Sequence, residues 1–367
     1  MKRVYFVALA LLFCTFASRA EANGFTKGTP DFKSMGVMAF SSNGILFIGD
    51  SQGGAIFALD LGDNIENTEA NELRVQNIDQ QIAELVGGNA KQVRIHDLAV
   101  NPVSQNSYLT VSRGAGKNTA NLLLKVTASG NLQEVILENV SFMKKSISNP
   151  ISMEKKTHRG QSLRTDAITD LAFSEGELIV AGLSNEEFSS TLRVISFPFD
   201  DTEKVTSLEM YHAAHKRYET NSPIRTLLAY ELEKTPHVLA AYTCTPLVSF
   251  PITKMKDGGH LKGKTVGEFG SNNRPLDMIS YQNNGKDFIL LANSARTLMK
   301  VDPLNIEKQT AVTEPVMERY GTSGVDFIAV PQVGVQQLSN FNSKFVIVIQ
   351  RAGNGSLNLQ TLPVQRL

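Results

Sequence analysis

The chain of 367 residues contains no tryptophan, and aromatic residues make up only 7% of it. That scarcity argues against a cleft that stacks sugar rings. Charge of one sign is also lacking: 36 basic residues face 36 acidic ones, which argues against a dedicated binder of nucleic acid or anionic membrane. Cysteine is nearly missing. Of the two present, Cys14 and Cys244, the first falls in an N-terminal leader. No internal disulfide is then available, so the fold must rest on burial, for which the chain is long enough. Cys244 itself reads as a small buried hydrophobe in a strand-like run. There is no Cys-x-x-Cys-His haem site, no phosphate-cradling Gly-x-x-x-x-Gly-Lys loop, no Gly-x-Ser-x-Gly elbow and no His-Glu-x-x-His zinc motif.

The leader occupies residues 1–22. Lys2 and Arg3 give a positive start, residues 4–16 an apolar core, and Ala20-Glu21-Ala22 a small-x-small cleavage site. The apolar run is too short for a membrane span, and Phe13 is bulky before Cys14 for a lipid-anchor signal. A mature chain beginning near Asn23 is expected outside the cytoplasm, secreted or periplasmic, as one domain over residues 23–367. No later stretch is long and apolar enough to span a bilayer.

What is present is repetition. Residues 35–61 read as three short apolar runs separated by Ser41-Ser42-Asn43-Gly44 and by a Gly-rich turn at 50–54. Asn-Gly supplies the positive φ angles of a tight hairpin. An apolar residue, then Ala or Ser, then an aromatic or Val marks each return of the pattern. The marks end at Phe40, Val100, Phe173, Tyr230, Tyr281 and Val330, at intervals of 60, 73, 57, 51 and 49 residues. Each is followed by a second and a third apolar run. Weaker fourth strands are expected at 73–78, 132–137, 205–211, 265–269 and 308–312. The sixth unit lacks one, and residues 25–32 are expected to fill that gap and close the ring. One helix is expected, over 78–85. Four antiparallel strands per unit and about 50 residues per unit define an all-β, six-bladed β-propeller. A seventh blade within the 73-residue interval is the alternative.

The phrases Asn43–Asp60 (NGILFIGDSQGGAIFALD) and Asp287–Asp302 (DFILLANSARTLMKVD) resemble blades of the NHL and SMP-30/gluconolactonase-like propellers. The likeness extends over the repeats of most of the chain. It implies a six-bladed fold and a group that includes calcium- or zinc-dependent lactonases, lyases and non-enzymatic binding propellers. In the enzymes, metal-binding carboxylates stand near the start of innermost strands. Asp277 (in RPLDMIS) and Asp326 (in SGVDFIA) match that placement. Gly36 stands where the enzymes supply a first-blade Glu, and Thr169 and Thr226 stand where an Asn is expected.

The ring position counted three residues before each Ala or Ser holds Gly36, His96, Thr169, Thr226, Asp277 and Asp326. Asp97 and Asp170 follow one position later, where a register shift turns them inward. Such carboxylates either chelate a cation or cap backbone N–H groups between blades. His212 and His215, spaced i and i+3, form a candidate metal pair that His96 joins. His96 is also a candidate general base beside Asp277 and Asp326. Arg113, Arg296 and Arg351 fall at turns between second and third strands, and Arg94, Arg164, Arg225 and Arg274 precede innermost strands. Most are expected around one channel mouth, as a patch for a small anionic ligand or paired with neighbouring Asp. Three functions follow: a binding or interaction module for such a ligand or a secreted partner, a metal-dependent hydrolase or lyase using Ca or Zn, or an inert scaffold.

Overall fold

In the computed structural model, residues 24–67, 72–114, 116 and 119–367 are described. The expected leader at 1–22 lies outside them. Six sheets carry the chain, and each is one blade of a six-bladed propeller; all pairings are antiparallel except Gly259–Lys262, which runs parallel to Lys204–His212 at the edge of the third blade. The innermost strands, in chain order, are Met38–Phe40, Val93–Val100, Asp170–Ser174, Ile224–Leu232, Pro275–Asn283 and Val335–Asn340. Tight turns set the hairpins that follow several of them. Glu175-Gly176, Glu233-Lys234 and Asn284-Gly285 all take positive φ at both central residues, the two-residue geometry that matches strand twist.

The second strands are buried on both faces, and strand periodicity divides them between neighbours. In Leu46–Asp50, Leu46 and Ile48 pack toward Ala99, Tyr108 and Leu123 of the second blade. Phe47, between them, packs toward Leu171, Leu178 and Val180 of the third. The core is therefore six seams rather than one centre. The other seams join the third blade to the fourth, the fourth to the fifth, the fifth to the sixth and the sixth to the second.

This sequence of seams shows that the blades do not follow chain order. Around the axis they run second, first, third, fourth, fifth, sixth. The chain builds the first blade, steps back to build the second beside the sixth, then passes forward again to the third. Two detached strands mark these steps. Arg74–Val75, expected at the edge of the first blade, instead pairs with Leu357–Pro363 and completes the sixth. Val140–Ser146 then returns to pair with Ala55–Asp60 and covers the first blade. The N-terminal segment does not close the sixth blade as expected. Thr26–Gly28 pairs outside Val140–Ser146 instead, because the sixth blade's edge is already taken. Each crossing covers an edge that would otherwise be open to pairing.

Two further corrections concern the C-terminal blades. Ile328–Val330, read as the sixth innermost strand, pairs with Leu298–Val301 as the outer strand of the fifth blade. It displaces residues 308–312 from that role; there, the helix Pro303–Lys308 is capped by Asp302, whose side chain accepts from the Leu304 amide at 2.9 Å. The expected helix at 78–85 is found as Ile78–Val86, with Ile78, Ile82 and Ala83 buried.

Candidate functional site: the channel and its two mouths

An innermost strand is an edge strand, so its channel-facing N–H groups have no ladder partner and require an acceptor. Three aspartates provide one. Asp97 accepts from the amides of Leu98 at 2.8 Å and Met38 at 2.5 Å. Asp170 accepts from Leu171 at 2.8 Å and Leu227 at 2.6 Å. Asp277 accepts from Met278 at 2.7 Å and Leu338 at 2.6 Å. All six blades contribute one amide, and each carboxylate joins its own blade to the next one in the same direction around the ring. The propeller neck is thus three successive blade pairs: second with first, third with fourth, fifth with sixth.

Register explains why these residues point inward. Bulges interrupt the pairing between Ile95 and Asp97, Ile224 and Thr226, Pro275 and Asp277, and Val335 and Gln337. A bulge adds one residue and re-aims the next side chain. The true ring column is the residue before Met38, Leu98, Leu171, Leu227, Met278 and Leu338, namely Val37, Asp97, Asp170, Thr226, Asp277 and Gln337. Counting by spacing alone placed His96 there; it is instead the extra residue of its bulge, with Nε2 2.8 Å from Ser112 Oγ. Burial first, and then Arg94, hold its pKa down to about 4. Asp326 does not join the ring. It lies exposed between Ser323–Gly324 and Ile328–Val330, at the outer edges of blades four and five.

The three ring carboxylates repel one another across the neck. Burial, then the charges of Asp277 and Asp170, push the Asp97 pKa well up. Asp277 is raised by burial and by Asp170. Asp170 is raised by burial to about 6, against the pull of the Leu227 and Leu171 amides. Beyond the ring, toward the hairpin turns, the channel widens into a cavity of about 810 Å³. Its wall includes Phe40, Ala172, Leu228 and Ile279, and its rim Gln105 and Lys344.

Upstream of the ring, at the opposite mouth, cations gather. Arg225, the extra residue of its bulge, donates to Asp166 at 2.9 Å and to Thr243 at 3.2 Å. The Arg274 pKa is lowered first by burial and then by Arg225 and Arg94, with Asp166 acting against them. Guanidiniums from the second, fourth and fifth blades, 180 residues apart in the chain, therefore share one opening.

The remaining arginines do not join them. Arg113 donates to the carbonyls of Val86 and Gly87 and caps the helix Ile78–Val86. Arg296 reaches the Tyr320 carbonyl at 3.5 Å, and Arg351 closes its own turn on the Gly355 carbonyl at 2.9 Å. Arg164 is buried and ties Ser51, Gln52 and Ile151 carbonyls together.

His212 and His215 do meet, but away from the channel. His212 ends the fourth strand of the third blade, and His215 lies in the turn after it. Their rings are 3.7 Å apart, centre to centre. Cys244 stands beside them, in a turn and partly exposed rather than buried in a strand. Sequence reasoning missed Cys244, Glu219 and Glu268 as members of this group. Glu268 ends the strand Lys264–Glu268, where its one available signal was an acidic residue on an otherwise buried stretch.

No protein-family model and no curated protein matches the chain. The likeness to NHL and SMP-30-like propellers therefore remains one of blade phrases. Among solved structures, the chain is similar to an oxidoreductase assigned as a glucose dehydrogenase from Thermus thermophilus. That match has a TM-score of 0.35 and 10% identity, over 92% of this chain and 100% of that one. A luciferin-regenerating enzyme matches with a TM-score of 0.34 and 7% identity, over 93% and 96%. The PQQ-bound aldose sugar dehydrogenase of Streptomyces coelicolor matches with a TM-score of 0.35 and 8% identity, over 92% and 96%. At this degree of likeness their activities carry no argument here.

Proposed function

We propose that this protein is a binding propeller whose ligand is a small anion bearing carboxylate or phosphate groups. The ligand sits at the channel mouth formed by Arg94, Arg225 and Arg274. The observation that carries this reading is the convergence of three guanidiniums with Asp166 as the carboxylate set against them. Arginine forks suit planar, multidentate oxyanions. The leader-like residues 1–22 support a place of action outside the cytoplasm.

Binding is preferred to metal-dependent hydrolysis because Asp277 already commits both oxygens to amides. Asp326, the second carboxylate that the enzyme resemblance implies, lies on the outer edge. Among the described residues, donor atoms of the ring aspartates do not form a group within 4.8 Å of one another.

Isothermal titration with phosphate and with mono- and dicarboxylates tests the reading. Binding is expected to weaken with added salt and to fall about tenfold in Arg274→Gln. No binding by any anion, or undiminished binding by that variant, would refute it.

A further inference from the structure

At the seam between the third and fourth blades, several groups with strong ligand preferences have been left without partners. Glu268 is fully buried, and neither carboxylate oxygen has a hydrogen-bond partner of ordinary geometry. Its Oε1 lies 3.9 Å from His212 Nε2, which is buried and equally unpartnered. A buried charged group in that state costs several kcal/mol of solvation, roughly. Something that binds both atoms at once removes the cost.

The histidines are prepared for such a role. Glu219 accepts from both rings, at 3.1 Å from His212 Nδ1 and 2.7 Å from His215 Nδ1. Ser222 fixes the same carboxylate at 2.6 Å. With Nδ1–H of each ring held by Glu219, each Nε2 presents a lone pair. This carboxylate–histidine arrangement is the outer shell that orients imidazole toward a metal. The hydrogen bonds from His212, Ser222 and His215 outweigh burial and hold the Glu219 pKa well below the usual carboxylate range. It stays an anion.

Cys244 adds a third donor to the two imidazoles, while Glu268, beside His212, lies outside their mutual group and must move further to join it. One donor atom each from His212, His215 and Cys244 lies within 4.8 Å of the others. Ligands about 2.0–2.3 Å from a tetrahedral ion are roughly 3.3–3.8 Å apart, so side-chain shifts of about an ångström close the group.

We propose that His212, His215, Cys244 and Glu268 form a four-ligand site for a divalent transition-metal cation, for which zinc fits best. Two imidazoles, a thiolate and one carboxylate are a borderline-soft donor set, unlike the all-oxygen shells of calcium or magnesium. Four protein ligands leave no open position, so the ion is structural rather than catalytic. His212 and His215 come from the third blade, Cys244 and Glu268 from the fourth. The ion therefore clamps two blades that, among the described residues, no disulfide joins. It enters past His215, whose side chain is 44% exposed. Binding displaces the Cys244 thiol proton and any proton on Glu268. Burial raises the Glu268 pKa to about 8, against the amides of Ala214 and Ala213.

The test uses the mature chain without a histidine tag. After dialysis against zinc, elemental analysis is expected to find one zinc per chain, and the melting temperature to rise by a few degrees. A chelator reverses the rise, and magnesium produces none. Cobalt in place of zinc is expected to give thiolate-to-metal absorption that disappears in Cys244→Ser. His215→Ala and Glu268→Gln are each expected to weaken zinc at least about tenfold. Absence of stoichiometric zinc overturns the proposal, as does a melting shift unchanged in Cys244→Ser and Glu268→Gln. Should those variants fail to fold, the unsubstituted chain decides: zinc must slow the reaction of Cys244 with a thiol reagent, and an unchanged rate overturns the proposal. Anion binding at the arginine mouth is a separate measurement, unaffected by either result.

Discussion

Asp277 and Glu268 are buried carboxylates on neighbouring blades, and both have raised pKa values. Their situations are opposite. Asp277 accepts two backbone N–H groups and joins the fifth blade to the sixth. Glu268 has no ordinary hydrogen-bond partner and faces an unpartnered histidine nitrogen. Burial and a shifted pKa therefore do not by themselves separate architecture from chemistry. The distinction lies in whether the oxygens already have work. The ring aspartates, which look like site residues in sequence, hold the neck together. The seam cluster, of which the sequence signals only the two histidines, is the set of groups proposed above as a coordination shell.

Substitution tests that contrast most sharply. Asp277→Ala leaves two channel-facing amides without an acceptor. It is expected to destabilise the protein by about 2–4 kcal/mol in urea unfolding. Asp326→Ala, at an exposed position, is expected to stay within about 0.5 kcal/mol. Equal effects would break the structural reading of the ring. In metal-free protein, Glu268→Gln should have the opposite sign from Asp277→Ala. Near pH 9 it removes an unpartnered charge and is expected to stabilise by about 1–2 kcal/mol. The gain grows from about pH 4.5 to about pH 8 and disappears only below about pH 4, because between those values folding must protonate Glu268 and no such cost falls on Gln.

A pH series gives a smaller effect. Asp170, Asp97, Asp277 and Glu268 all have folded pKa values raised above their unfolded ones. Their stabilising contribution is full below about pH 4 and is lost as pH rises from there toward the folded values, about 6 for Asp170 and about 8 for Asp277 and Glu268. The melting temperature is expected to fall by several degrees between about pH 6.5 and pH 9. His96 works the other way. Its depressed pKa means stability is lost as pH falls from about 6.5 toward 4. Four carboxylates outweigh one histidine between those values, so the maximum should lie near pH 4 to 5, roughly, and Asp277→Asn should flatten the slope above it. Smallest of all is Arg351→Ala, which removes a contact within one turn. It is expected to leave stability within about 0.5 kcal/mol and anion affinity unchanged, unlike Arg274→Gln.

Much of a blade is legible locally. Leu46–Asp50 and Ala55–Asp60 were readable as apolar runs bounded by turns, among them Asn43-Gly44, whose Gly44 takes φ +86°. The helix Ile78–Val86 was readable from its periodicity. Arg94, Arg225 and Arg274 were readable near one mouth because each lies at or just before the start of an innermost strand. Arg296 and Arg351 were misplaced because their side chains are drawn to backbone carbonyls, of Tyr320 and of Gly355 in Arg351's own turn. The closeness of His212 and His215 was visible by spacing. Their neighbours Cys244 and Glu268 were not, since they come from another blade and from strand ends with no spacing relation to the histidines.

The sequence by itself determined the all-β class and the sixfold repetition, because strand period and turn chemistry act over a few residues. Only tertiary structure decided the order of the blades around the axis. A detached strand such as Arg74–Val75 carries the same local pattern whichever open edge it covers, and what selects the edge is which one remains unpaired. Tertiary structure likewise decided which side chains face the channel. One extra residue in a bulge turns the facing position from His96 to Asp97, and that choice depends on packing against the adjacent blade rather than on the order of residues.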